Sequence, residues 1–208
     1  MSVLQQGLQR YFSAAQLSFL GRMKVGIAGA GGLGSNWAAF LARRGVRRFI
    51  LADFDVVEAS NLNRQWYYPD DVGKPKVECV ARHVGRLEAG VELIVDRLRL
   101  AAQTVAQYFA GCDALVEAFD DPAAKAMFVN AALPLSPLLV SASGLAGAGG
   151  KPMGVRRVNS RFVIVGDGES EVSAAAPPLA PRVMQAAGLQ ADVVLAFFLQ
   201  EAANASSS

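Results

Sequence analysis

The sequence predicts an α/β fold: a doubly wound, mostly parallel sheet with helices on both faces and an added C-terminal antiparallel hairpin. Three observations predict it. Short apolar runs alternate with longer segments of helical periodicity, and such alternation calls for parallel strands joined by right-handed crossovers. The first apolar run ends in Gly29-x-Gly31-x-x-Gly34, a turn that sets bare backbone N–H groups at the start of a helix. The second ends in a carboxylate, Asp53, at the place where such folds grip a ribose.

Taken in order, residues 3–20 read as one or two short helices outside the sheet. Ser13 is the N-cap of the second, and a surface Arg10 stands beside a half-buried Tyr11. Residues 25–28 are the first strand and 33–44 the first long helix, with Gly45 as its C-cap. Residues 47–52 are the second strand, and 53–65 a loop with at most a short helical turn. Pro75 suits the first turn of a helix that runs to about Glu88. A third strand at 91–98, a helix at 102–110 and a fourth strand at 114–118 come next. Asp121, rather than Asp120, is expected to cap the next helix at Pro122. Residues 138–141 are the fifth strand, and the glycines after it imply unusual backbone angles or close approach. Residues 155–158 and 162–165 flank Asn159-Ser160-Arg161 as a hairpin. Residues 166–181 read as a mobile crossing loop, 182–202 as a final helix, and 203–208 as a fraying end. The whole is expected to be one unit over 1–208: a helical arm (1–22), a Rossmann-like nucleotide-binding core (23–165), the crossing loop and the last helix.

Composition excludes several classes. At 52% hydrophobic and 18% charged residues over 208 positions, the chain can fill a sizeable core. A net charge of +2 gives no case for nucleic acid or for an acidic membrane surface. The first 22 residues contain Gln5, Gln6, Gln9 and Arg10, which does not suit a signal peptide. No apolar run reaches the roughly 20 residues of a membrane span. A cytoplasmic protein is expected. The two cysteines, Cys79 and Cys112, form no CxxC pair, so no four-thiolate zinc site is expected. Both read as inert buried thiols.

The glycine turn with Asp53 fits an NAD-dependent oxidoreductase as well as any other nucleotide protein. The residues after Asp53 separate the two readings. Asp55, Ser60, Asn61, Asn63, Arg64 and Gln65, then Lys74 and Lys76, make a dense polar cluster. Cations near the glycine turn suit a triphosphate: Arg64 offers a planar fork and Lys76 a point charge. Asp120 closes the fourth strand, where it can hold Mg²⁺ together with phosphate oxygens. The reading is therefore ATP with Mg²⁺. The single histidine, His83, is expected to be a surface or interface residue.

The combination of Gly29-Ala30-Gly31-Gly32-Leu33-Gly34-Ser35-Asn36, Asp53-x-Asp55, Ser60-Asn61-Leu62-Asn63-Arg64-Gln65 and Gly73-Lys74-Pro75-Lys76 resembles the ubiquitin-activating-like superfamily. Within it the chain is similar to the short ThiF-type sulfur-carrier adenylyltransferases of thiamin biosynthesis. The resemblance implies ATP-dependent adenylation of the C-terminal glycine of a small β-grasp (ThiS-like) carrier ending in Gly-Gly. It implies that Gly29, Gly31, Gly32 and Gly34 hold the nucleotide, that Asp53 takes the ribose, and that Asp55 belongs to the same site. Asn61, Arg64 and Gln65 would reach phosphates, Lys76 would stabilise the α-phosphate, and Asp120 would bind Mg²⁺. An N-terminal arginine that enters the partner subunit's site in relatives is matched by Arg10, within a homodimer. Zinc ligands of longer relatives are missing, and residues 166–181 hold no cysteine, so a separate protein would deliver sulfur. Lys125 stands where relatives carry arginine. The loops at 144–150 and 166–181 could form a tunnel for the carrier's tail. Two other readings are a non-catalytic nucleotide-binding scaffold and a relative that dehydrates a modified tRNA base.

Overall fold

The computed structural model describes residues 2–206. Its strands are β1 (Lys24–Ala28), β2 (Arg48–Ala52), β3 (Glu92–Asp96), β4 (Ala114–Glu117), β5 (Leu139–Ala142), β6 (Gly154–Arg157) and β7 (Phe162–Gly166). They form one sheet in the order β3-β2-β1-β4-β5-β7-β6. Neighbours are parallel except β6 and β7, which form the expected hairpin. The helices are α1 (Val3–Leu8), α2 (Ala14–Arg22), α3 (Gly32–Ala42), α4 (Lys76–Leu87), α5 (Ala102–Tyr108), α6 (Pro122–Ala132) and α7 (Ala180–Ser206).

The central strands are mostly apolar because both of their faces are covered, with Glu117 of β4 and Ser141 of β5 as buried polar exceptions. Side chains alternate along each strand. Val25, Ile27, Phe49, Leu51 and Val116 therefore enter the layer shared with α3, α4 and α7, while Ile50 and Leu115 enter the layer shared with α5 and α6. On α7, Val183, Ala186, Ala187, Gln190, Ala191, Val194 and Phe198 are buried at helical spacing, and the helix packs against α3. This explains why a helix with mean hydropathy 1.4 over a window long enough for a bilayer serves as a core element. Gly26 in β1 has no side chain for a similar reason: a Cβ there would stand 2.5 Å from both Leu115 and Phe109.

Chain order reverses between β1 and β4, so β1→β2→β3 grows one way and β4→β5 the other. The crevice at the carboxyl ends of β1 and β4 is where open α/β sheets bind ligands. The arm lies at the opposite edge: Leu8 and Leu17 face the space beside Gly45, and Ser2 bonds Glu88 at the end of α4. Ser13 caps α2 with a reciprocal Gln16 contact, as expected.

Four expectations are corrected. Tyr11 is 77% exposed rather than half-buried, since it stands in the turn between α1 and α2. Pro75 is the N-cap of α4, one position before its first turn; its φ of −57° suits either place. Residues 203–206 continue α7 instead of fraying, since Ala202, Ala203 and Ala205 are strong helix formers; 207 and 208 lie outside the described residues. The crossing segment is not loose. Ala146 and Pro178 form a bridge, and Gly147 donates to the Pro177 carbonyl at 2.9 Å.

Candidate active site

The glycine turn is shaped by close approach. Gly29 has a left-handed φ of +102°, and a Cβ there would be 2.8 Å from the Ala118 carbonyl oxygen. A Cβ on Gly34 would be 1.8 Å from the Gly29 carbonyl oxygen. Only hydrogen fits at 34, so α3 starts directly against the turn. Gly32 makes room for Val183 of α7, whose Cγ1 would be 2.7 Å from a Cβ. Gly31 is different: the nearest atom to a Cβ is Gln65 Nε2, at 4.0 Å. Its free space faces the polar loop.

Asp53 extends from the end of β2 and braces this turn. Its Oδ2 accepts from the Ala30 N–H at 2.6 Å and its Oδ1 from the Asp55 N–H at 2.8 Å. Each oxygen keeps a lone pair for a hydroxyl. The next loop folds back on itself. Val57 N donates to Lys74 O, Gly73 N to Val57 O, and Lys76 N to Asp55 O. This return brings Lys76 Nζ to 2.9 Å from Asp55 Oδ2, with the lysine buried and the aspartate half-exposed.

Three residues that sequence reasoning gave no role fasten the loop to the turn. Ser35 Oγ donates to Gly31 O and accepts from Trp66 N, and Asn36 Nδ2 donates to the carbonyls of Gly32 and Arg64. Tyr67 OH donates to Ala30 O at 2.6 Å. Burial, then the charges of Asp53, Cys79, Asp71 and Asp55, push its hydroxyl well above the usual tyrosine range, so it remains a neutral donor. Polar residues in the first turn of an otherwise apolar helix were the available signal for Ser35 and Asn36.

The expected phosphate-reaching residues divide. The stem of Arg64 lies beside Gly32, and its Nη1 bonds Ser60 O and Asn63 Oδ1. Gln65 is buried next to Gly31 with its Oε1 unpartnered. Asn61 faces inward instead: its Oδ1 accepts from Glu58 N at 3.0 Å and closes the single-turn helix Ala59–Asn61. Asp120 is exposed just beyond β4 and has no bonded partner among the described residues, while Asp121 caps α6 through the N–H groups of Ala123 and Ala124. Arg10 is exposed on the arm, at the other edge of the sheet from the glycine turn.

Lys125 gains a defined position. Its Nζ donates to Glu117 Oε2 at 2.6 Å and to Ala142 O at 2.9 Å. Glu117, fully buried, also accepts from Ser141 Oγ and from Phe119 N. This knot ties β4, β5 and α6 together beneath the Asp120 turn. His83 is a correction: it is buried, with Nε2 2.7 Å from Asp71 Oδ2 and rings from Trp66 and Tyr68 packed on it. Asp71, twelve residues away, supplies the partner that lets an imidazole enter the core. Both cysteines are buried. Burial pushes the Cys112 thiol up to about 11 and raises that of Cys79.

Comparison with known proteins agrees with this geometry. The "Adenylyltransferase and sulfurtransferase MOCS3" of Aedes aegypti is 35% identical over 127 residues, covering 61% of this chain and 29% of that protein. "Adenylyltransferase and sulfurtransferase uba4" of Aspergillus niger is 35% identical over 142 residues, 65% of this chain and 30% of that protein. The chain thus spans under a third of these relatives' length. Among solved structures, the tRNA N6-threonylcarbamoyladenosine dehydratase TcdA of E. coli, in complex with AMP, superposes with a TM-score of 0.84 at 21% identity over 95% of each chain. E. coli MccB with AMPCPP and MccA gives 0.70 at 23% identity, over 88% of this chain and 58% of that one. The profile of the ThiF family matches residues 4–207, and the chain belongs to that family.

Proposed function

We propose that this protein is an ATP-dependent adenylyltransferase that activates the C-terminal carboxylate of a small β-grasp sulfur carrier ending in Gly-Gly, of the ThiS type. The observation that carries the reading is the convergence, at one edge of the sheet, of the glycine turn, the Asp53 carboxylate, Arg64, the Asp55-tethered Lys76 and the unpartnered Asp120. The relatives named adenylyltransferase and sulfurtransferase support the choice of a carrier.

The acceptor carboxylate is already ionised, so no general base is required. Its oxygen bonds to the α-phosphorus of ATP while the bond from that phosphorus to the pyrophosphate oxygen breaks, giving acyl-AMP and pyrophosphate. This chain's part is positioning and charge. Asp53 orients the ribose, backbone N–H groups of the turn face the phosphates, and Lys76 and Arg64 balance the charge that gathers at phosphorus. Asp55 aims Lys76. The residues fit Mg²⁺ in its usual mode, one carboxylate plus substrate oxygens: Asp120 is free to hold it, and when bound it neutralises phosphate charge. With His83 tied to Asp71 and both thiols buried, the chemistry ends at acyl-AMP and sulfur comes from a separate donor. Arg10, exposed on the arm away from its own glycine turn, would serve the site of a second copy if the protein forms a homodimer.

The test is pyrophosphate exchange into ATP with a Gly-Gly-terminated carrier, followed by mass spectrometry of the carrier for an AMP adduct. A second reading, ATP-dependent dehydration of a modified tRNA base, draws on the end-to-end superposition with TcdA. Turnover on tRNA with no adduct on the carrier would select it. ATP binding with neither product would select a non-catalytic scaffold, and tight NAD binding without ATP an oxidoreductase.

A further inference from the structure

The loop after β5 and the segment after β7 are fastened together by one guanidinium. Arg182, in the first turn of α7 and 7% exposed, donates from Nη1 to the carbonyls of Gly149 and Lys151 and from Nη2 to Asp167 Oδ2. Asp167 Oδ1 accepts from the N–H groups of Glu169 and Ser170 at 2.9 and 2.8 Å. The seam is too tight for side chains. A Cβ on Gly144 would be 1.9 Å from Asp167 Oδ1, and one on Gly166 would be 1.8 Å from Ser143 O. The next residue, Val183, fills the space beside Gly32. One helical turn therefore touches the nucleotide turn with one side chain and clamps both loops with its neighbour.

β5 and β7 run parallel to β1 and β4, so both loops emerge at the edge that carries the glycine turn, Asp53 and Asp120. Gly149 and Gly150 are exposed at left-handed φ of +68° and +78°. Nothing lies within 4 Å of a Cβ at 149. Apart from the Gly149 carbonyl held by Arg182, their main chain can pair with an extended segment that has little side chain of its own. Nη1 and Nη2 of Arg182 are spent on protein oxygens, while its buried Nε has no partner among the described residues; the three bonds fix the shape of the loops.

We infer that Arg182 is a positioning residue for the acceptor: with Asp167 it holds the 144–151 loop so that a thin chain end carrying a free carboxylate lies along that loop toward the nucleotide turn. The identity of the acceptor rests on the adenylation reading; the clamp does not. Removing one partner alone strands the other's buried charge, so the conservative Arg182→Lys and Asp167→Asn are read beside Arg182→Met.

The test compares Arg182→Lys, Arg182→Met and Asp167→Asn with wild type, using a ThiS-like Gly-Gly carrier as probe. Arg182→Met is expected to raise the carrier KM about tenfold, with kcat within about threefold and the ATP Kd within about twofold. Arg182→Lys should fall between, since one ammonium cannot span three acceptors. Amide exchange at 144–151 and 166–170 should speed up in Arg182→Met while α3 stays protected. An unchanged carrier KM, or an ATP Kd that weakens in step with it, overturns the inference. If wild type shows no carrier-dependent exchange, the adenylation reading falls. The clamp is then judged by amide exchange alone, and unchanged exchange in Arg182→Met overturns it.

Discussion

Gly34→Ala is expected to cost stability through a single contact. The added carbon would begin 1.8 Å from the Gly29 carbonyl oxygen, 2.9 Å from its carbon and 3.3 Å from Ile27 Cγ2. Real Cβ atoms stay beyond 3.0 Å, so α3 or the turn must yield by at least 3.0 − 1.8 = 1.2 Å. Neither gives easily. Gly29 is fixed by its N–H on Ala52 O, and α3 is buried against α7. Overpacking of this kind costs about 1–3 kcal/mol, and a backbone obstacle belongs at the upper end. For a chain of this size each kcal/mol moves Tm by about 2–4 °C, so Gly34→Ala should melt roughly 6–12 °C below wild type. Gly31→Ala is the control. Its methyl meets only Gln65 Nε2 at 4.0 Å, although its φ of −76° goes with a ψ of −148° outside the α and β regions. Without a backbone obstacle it should melt above Gly34→Ala while weakening ATP, because the methyl occupies space on the nucleotide side. Thermal denaturation followed by circular dichroism, with calorimetric ATP titration, measures both. If the two variants melt together, close approach is not the reason for glycine at 34.

Arg64→Ala and Lys76→Ala should each lower carrier-dependent pyrophosphate exchange by about 10²–10³-fold; near-normal exchange in both would remove their assigned roles. Lys125→Met strands the buried Glu117 carboxylate and should destabilise by about 3–5 kcal/mol, with Lys125→Arg restoring most of it in urea titrations. The Asp71 carboxyl is raised by burial, but the Tyr68 N–H, His83 and Arg82 outweigh this and hold it below its ordinary 3.8. Its stabilising share is therefore complete above the unfolded value and lost as pH falls through the lower native one. The urea midpoint should fall below about pH 4, and Asp71→Asn should flatten that slope. Cys79 and Cys112 should resist a thiol reagent at pH 8 until the protein is unfolded; fast labelling of the native protein would contradict their burial.

The sheet was readable because its signals are local. Mostly apolar strands, the left-handed glycines at Gly29 and Gly45 and the caps at Ser13 and Asp121 each depend on residues within a turn or two. The polar cluster was readable for a related reason: Asp53, Arg64 and Lys76 lie within one stretch from the end of β2 to the start of α4, which folds back on itself. What escaped depends on partners far along the chain. His83 pairs with Asp71 over twelve residues, Lys125 bonds Ala142 over seventeen, and Arg182 reaches Gly149 over thirty-three. Periodicity shows neither partner nor direction, so His83 read as a surface group and residues 166–181 as loose chain. Asn61 adds a bond that sequence reasoning did not give it, its Oδ1 accepting from Glu58 N within its own turn.

The two N–H groups on Asp53 complicate any attempt to probe ribose recognition by mutagenesis. Asp53→Asn would place an NH₂ where an acceptor for Ala30 or Asp55 is needed, disturbing the glycine turn along with the proposed sugar contact. A loss of activity in that variant would conflate scaffold with recognition. The separable experiment alters the other molecule: 2′-deoxy-ATP and 3′-deoxy-ATP remove one hydroxyl each and leave every atom of the protein in place.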